Sequence, residues 1–199
     1  MSRKTDPRVV AICGSVHDGS TTRIALEEVL AAARTAGATT ELVDLRSYEV
    51  PSLYAADSEL SDADALRTTV DDADSVVLGT PNYHGSYAGA LKDALDHCGR
   101  DEFAGTTVGL LETAGGDFPG SALVHLRTVS RTLRAWTLPT EVAVPNAHET
   151  ITDEGIGDEA VAARARRLGQ ELVAYAGVSA SPERINQRSP TAAGGEVDD

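Results

Sequence analysis

The feature that most constrains this chain is an alternation repeated along most of its length: short apolar runs followed by stretches of helical period. Val9-Val10-Ala11-Ile12-Cys13 is a continuous apolar run ending at Gly14, the pattern of a strand buried on both faces. Further strands are read at Thr40–Asp44, Ser75–Gly79, Thr107–Leu111 and Glu141–Val144, the last ended by Pro145. Between them, Leu26, Val29, Leu30 and Ala33 fall at i, i+3, i+4 and i+7 on a helix from Thr21 to about Arg34, which Gly37 closes. Ser61 and Asp64 resemble a capping box opening a helix through Leu66 and Val70. Leu91, Ala94, Leu95 and Cys98 stripe a helix from about Tyr87 to His97. Ala122, Leu126, Val129 and Leu133 mark the next, and Val161, Ala165, Leu168 and Leu172 a last one from Asp158 to Tyr175.

Strands alternating with helices imply an α/β fold: a parallel sheet covered on both faces, with right-handed crossovers. Its ligands sit beyond the carboxyl ends of the strands, which directs attention to the loops starting at Gly14, Thr80 and Thr113. A chain of 199 residues suits one domain, taken as 1–177. Residues 178–199, rich in Ser, Pro, Ala and Gly, read as a flexible tail.

Charge narrows the partners. With 17 Lys+Arg against 31 Asp+Glu and a net charge of -14, nucleic acid and anionic lipid are unsuitable partners, both being polyanions. Only Lys4 and Lys92 are lysines, Asp outnumbers Glu 17 to 14, and Phe occurs twice. That balance suggests a halophilic protein in a very salty cytosol, where a Debye length of about 3 Å weakens self-repulsion. Cys13 and Cys98 have no metal-binding spacing and imply no disulfide framework. The N-terminus fits neither a signal peptide nor a membrane span, so a soluble, cytoplasmic protein is expected.

Three loops carry the chemistry. Gly14-Ser15-Val16-His17-Asp18-Gly19-Ser20-Thr21-Thr22 joins a strand to a helix, where free amides and about half a positive charge favour a phosphate. It is neither GxGxxG nor a Walker A loop; Ser20 or Thr21 also suits a plain N-cap. Thr80-Pro81-Asn82-Tyr83-His84-Gly85-Ser86-Tyr87 offers hydrogen-bonding edges and a flat surface to a planar heterocycle, or is an ordinary turn. Thr113-Ala114-Gly115-Gly116-Asp117-Phe118 supplies amides that could face a ligand carbonyl, or glycines that merely permit a turn. One loop suited to a phosphate and two to a planar ring describe a mononucleotide such as FMN.

GSxxxxSxT from Gly14 to Thr22 and TPNYHGSYAGALKDALD from Thr80 to Asp96 make the chain resemble the NADPH-dependent FMN reductase family, from about Val9 to Tyr175. That family also holds flavin-dependent quinone and azo reductases. The resemblance implies a flavodoxin-like three-layer sandwich with strand order 2-1-3-4-5. It places Ser15, His17, Ser20, Thr21 and Thr22 around the FMN phosphate. Pro81, Asn82, Tyr83, His84, Gly85 and Ser86 fall where the family contacts the isoalloxazine and ribityl chain, and Ala114, Gly115 and Gly116 at the ring's other edge. Relatives commonly carry Arg where this chain has His17, and many carry Glu where it has Asn82.

The implied reaction passes hydride from NADPH or NADH to FMN and then electrons to a small-molecule acceptor: a flavin, quinone, azo compound or similar. The cofactor does the organic chemistry, so no catalytic side chain and no metal is expected. A flavodoxin-like electron carrier without NAD(P)H turnover is the alternative, although its phosphate loop is tighter than the one here. An iron-sulfur flavoprotein would need a compact cysteine cluster; a third alternative is a partner-binding protein that retains the scaffold without turnover. Family habit implies a homodimer or homotetramer, with residues 45–60 (Tyr48, Leu53, Tyr54) and the helix bearing Leu91 and Leu95 as contact regions.

Overall fold

A computed structural model of the chain describes residues 6–55 and 61–177. The expected tail, 178–199, lies outside the described residues, as does part of the loop before the second helix.

In chain order the elements are β1 (Arg8–Cys13), α1 (Thr21–Thr35), β2 (Thr39–Asp44), a 3-10 turn (Leu45–Ser47), α2 (Ala63–Asp71), β3 (Ser75–Tyr83), β4 (Ser86–Tyr87), α3 (Gly89–His97), α4 (Arg100–Phe103), β5 (Thr107–Thr113), α5 (Ser121–Thr132), β6 (Trp136–Val144), α6 (Ala147–Thr150), β7 (Ile151–Thr152), β8 (Gly155–Ile156) and α7 (Glu159–Ala174). The long strands pair in parallel in the order β2-β1-β3-β5-β6, which is 2-1-3-4-5 when the long strands alone are counted. β4 turns back on the end of β3, and β7 and β8 form a separate small hairpin.

Burial follows position in the sheet. β5 is buried throughout and β1 almost so, because helices cover both faces. The outer strands β2 and β6 carry partly exposed residues, and β6 accommodates Pro139 within a register shift, an edge-strand position where a missing N–H costs no ladder bond. On one face Val9, Ala11, Cys13 and Val77 pack against α1 and α7; on the other Val10, Ile12, Val76 and Leu78 pack against α2, α3 and α5. This alternation along each strand is the period-two geometry of a strand dividing two apolar layers.

Two contacts fix α7. Ser75 Oγ donates to the Leu172 carbonyl at 2.7 Å and Thr107 Oγ1 to that of Tyr175 at 2.6 Å, so strand residues satisfy carbonyls that the helix end leaves without partners. Gly169 lets α7 approach α1 closely: a Cβ there would lie 2.2 Å from the Val29 carbonyl oxygen.

Three local expectations are corrected. α2 is not opened by a Ser61–Asp64 capping box; Asp62 is its N-cap without a side-chain bond there, and its carboxylate accepts the Glu49 N–H instead. Ser61 Oγ accepts the Ala63 N–H. The helix expected from Tyr87 starts at Gly89, because Ser86 and Tyr87 pair with Tyr83 and Asn82 as a hairpin. Leu91 and Leu95 are core residues and offer no contact surface, whereas Leu53 and Tyr54 are exposed.

Candidate functional site

A cleft of about 240 Å³ opens at the carboxyl ends of β1, β3 and β5, lined by Ser15, His17, Gly19, Ser20, Thr21, Thr22, Pro81, Asn82, Tyr83, Thr113, Ala114, Gly115, Ala147 and His148. It lies where strand order reverses around β1 and β3, the position at which open α/β sheets receive ligands.

The first wall is the β1–α1 loop. Gly14 N–H donates to the Gly79 carbonyl at 2.8 Å, fixing the loop's departure to the neighbouring strand end. Ser20 is the N-cap of α1, its Oγ accepting the Arg23 N–H at 3.1 Å. Capping uses a lone pair of that hydroxyl, which also lies 3.8 Å from the Cys13 sulfur. Ser15 Oγ likewise accepts the His17 N–H, at 3.4 Å. The amides of Thr21 and Thr22 belong to the first turn, which has no intrahelical acceptors, so they and the two serine hydroxyls form a donor set for an anion.

Side-chain charge is nearly balanced here. Arg46, just after β2, reaches the loop by donating to the Asp18 carbonyl at 3.1 Å and is gripped by Asp44 at 2.6–3.1 Å. That guanidinium holds the Asp44 carboxyl below its ordinary range. Arg23 also lowers it through its charge, while the Arg23 Nε is buried without a hydrogen-bond partner among the described residues. His17 Nδ1 accepts the Gly19 N–H at 3.1 Å, which leaves Nε2 as the neutral ring's donor. Backbone amides and hydroxyls, rather than a dedicated side-chain cation, therefore predominate along this wall.

The second wall is the β3–β4 hairpin. His84 and Gly85 both have positive φ (54° and 78°), the signature of a type I′ turn. Asn82 anchors it: Oδ1 accepts the Gly85 N–H at 2.9 Å, while Nδ2 donates to Glu112 Oε1 at 2.5 Å and to Ser121 Oγ at 3.0 Å. Pro81, Asn82 and Tyr83 line the cleft; His84, Gly85 and Ser86 lie beyond its lining, and Ser86 Oγ is 3.0 Å from His125 Nδ1.

The third wall joins the loops after β5 and β6. Ala147 N–H donates to Ala114 O at 2.8 Å, and Asn146 N–H to Gly116 O at 3.2 Å. Ala114 and Gly115 line the cleft and Gly116 does not. Gly115 makes room for His148, since a Cβ there would lie 2.9 Å from Nε2. The first and third walls meet where Thr22 and Thr113 share a hydrogen bond.

The cleft also brings in Gly19, Thr113, Ala147 and His148, with Glu112 and Ser121 behind it. His148 follows the fifth long strand, a carboxyl-end loop that the same topological rule would have included. Glu112 is a lone charge inside an otherwise apolar strand run, a sequence signal for a buried polar role. Among the described residues no group of three His, Cys, Asp or Glu side chains could hold a metal ion, and no helix is long and apolar enough to cross a membrane.

A donor-rich pocket for an anion, continuous with a slot between Pro81–Tyr83 and Ala114–Gly115, on a doubly wound sheet, defines the flavodoxin-like class. Within that class the chain belongs to the NADPH-dependent FMN reductase family, whose model matches residues 7–149. An FMN-dependent NADPH-azoreductase of Staphylococcus saprophyticus is 38% identical over 113 residues, covering 55% of this chain and 60% of that protein. This chain therefore matches less than two thirds of that relative's length. In structure it is similar to an NADH:FMN oxidoreductase in its apo form, with a TM-score of 0.71, 22% identity and coverage of 89% and 92% of the two chains. It is also similar to a flavoenzyme NAD(P)H:(acceptor) oxidoreductase from Paracoccus denitrificans, with a TM-score of 0.70, 20% identity and coverage of 85% and 96%.

Proposed function

We propose that this protein is an FMN-dependent NAD(P)H oxidoreductase that passes electrons from NADPH or NADH to a small acceptor such as an azo compound, quinone or free flavin. The observation that carries the reading is the joining, in one cleft, of the α1 donor set to the Pro81–Tyr83 and Ala114–Gly115 walls.

FMN fits this donor set: Ser15, Ser20 and the first-turn amides would hold its phosphate, with His17 Nε2 as a further donor, and Pro81, Asn82, Tyr83 and Gly115 would flank the ring. When bound, FMN supplies hydride acceptance and release. The chain's own residues orient and shield. Tyr83, exposed at the cleft mouth, offers a stacking surface to an incoming planar substrate. Amides of the Ala114–Gly115 segment can stabilise negative charge growing at the ring edge. No nucleophile is needed, and the buried thiols of Cys13 and Cys98 are outside the cleft lining.

A homodimer or homotetramer working in concentrated salt completes the reading, supported by exposed Leu53 and Tyr54 and by the acidic composition. The decisive test is anaerobic titration of FMN-loaded protein with NADPH and NADH at molar KCl. Bleaching of the flavin bands, followed by recolouring on adding an azo dye or quinone with ping-pong kinetics, is expected. Bound FMN that neither nucleotide bleaches would favour the electron-carrier alternative.

A further inference from the structure

Glu112 is fully buried at the end of β5 and forms no ion pair among the described residues. Its two oxygens have different duties. Oε2 accepts the N–H groups of Gly120 and Leu123 at 3.0 and 3.2 Å, capping α5, whose N-cap Gly120 has no side chain to do so. Oε1 accepts from Asn82 Nδ2 at 2.5 Å. All three contacts of Glu112 are ones its oxygens accept, so the Asn82 amide turns its NH2 toward it. The carbonyl oxygen is thereby turned to the Gly85 N–H, closing a turn in which non-glycine His84 holds φ 54°.

We infer that Glu112 is a positioning residue for the cleft's second wall: it sets the orientation of the Asn82 amide and so the conformation of the Tyr83–Ser86 turn. Its consequence for ligand binding rests on the FMN reading above. The inference also accounts for Asn at position 82. A carboxylate there would place two acceptors 2.5 Å apart, the present separation of Asn82 Nδ2 and Glu112 Oε1.

E112Q separates positioning from capping. The substituted amide keeps one oxygen for the Gly120 and Leu123 N–H groups, but its NH2 now confronts Asn82; flipping Asn82 moves the donor clash to Gly85. Adding N82D restores every partner, since a carboxylate at position 82 accepts from the substituted amide, from Gly85 and from the Ser121 hydroxyl, which reverses to donate. The net charge of the double variant equals that of the natural sequence. The readouts are amide hydrogen exchange by NMR at Gly85 and Leu123, and FMN affinity by fluorescence titration. In E112Q, Gly85 protection and FMN affinity should each fall by about tenfold, the size expected for one disrupted buried hydrogen bond, while Leu123 protection persists. Both should recover in N82D/E112Q. Should E112Q fail to fold, recovery of folded protein in the double variant is the corresponding supporting result. Unchanged Gly85 protection in E112Q, or a double variant no better than the single, overturns the inference. If the Gly85 pattern holds but the natural protein binds no FMN, the positioning role stands and the flavin reading falls.

Discussion

The hydroxyls of Thr22, in the first turn of α1, and Thr113, at the end of β5, meet at 2.7 Å, with both side chains almost wholly buried. The contact ties α1, which follows β1, to the end of β5, the strand that starts the third wall. T113V should destabilise the protein by about 1–3 kcal/mol, because the Thr22 hydroxyl is left without a partner. T22V/T113V should regain most of that stability in urea unfolding but not FMN affinity, since the cleft loses polar lining at both positions. Equal stability of single and double variants would show that the pair is not coupled.

Gly169 is required by the crossing of α1 and α7. A methyl group 2.2 Å from a backbone carbonyl oxygen cannot be relieved by a rotamer change, so the helices must separate. G169A should lower stability by about 1–3 kcal/mol, read as a lower Tm. FMN bound per folded molecule should be little changed, because the contact is remote from the cleft lining.

Asp44 and Arg46 give the loop an acid limit. The Asp44 carboxyl is held below its ordinary value of 3.8, chiefly by its hydrogen bonds from Arg46. A carboxyl depressed in the folded state contributes stability above its unfolded value, and that contribution disappears as pH falls through the lower folded value. Unfolding free energy should therefore drop below about pH 4. D44N should show a shallower acid limb. An identical pH profile for D44N would place the acid sensitivity elsewhere.

Both cysteines are buried, and burial pushes the Cys98 thiol up to about 12 and raises that of Cys13. Since the thiolate is the reactive species, neither should react with a disulfide reagent at pH 8 in the folded protein. Both should react in guanidinium. Rapid labelling of the native chain would reveal an opening of the sheet–helix layers that the packed structure does not contain.

The charge of -14 should make both folding and FMN binding depend on salt. Screening weakens repulsion within the chain and between the chain and a phosphate, while the short-range donors at Ser15, Ser20 and the first turn are screened much less. Tm and FMN affinity should rise together along a KCl series. A Tm that stays flat would remove the high-salt reading.

The strands and helices were legible because their signals are local. Val9–Cys13 is apolar at every position, and Leu26, Val29, Leu30 and Ala33 repeat with helical period; burial on two faces and burial on one leave different patterns in neighbouring residues. The strand order could be expected from the resemblance, and the structure has it. The β1–α1 loop was legible for the same reason: Gly14 to Thr22 is continuous in sequence, and its cap, Ser20, lies three residues before the N–H it accepts. The start of α3 was misplaced because Ser86 and Tyr87 pair with β3 through a two-residue turn at His84 and Gly85, a pairing set by the neighbouring strand end rather than by helical period.

What the sequence alone determined about this protein is thus its layering and the strand-end loops that line the cleft, since both follow from period and turn residues along short stretches. Only the tertiary structure decided which side chains complete the cleft. His148 meets Gly115, Thr22 meets Thr113, and Asn82 meets Glu112 across separations of 33, 91 and 30 positions. Hydrogen bonds and steric limits act over about 3 Å, so residues distant in the chain acquire partners only when the sheet has brought its strand ends together.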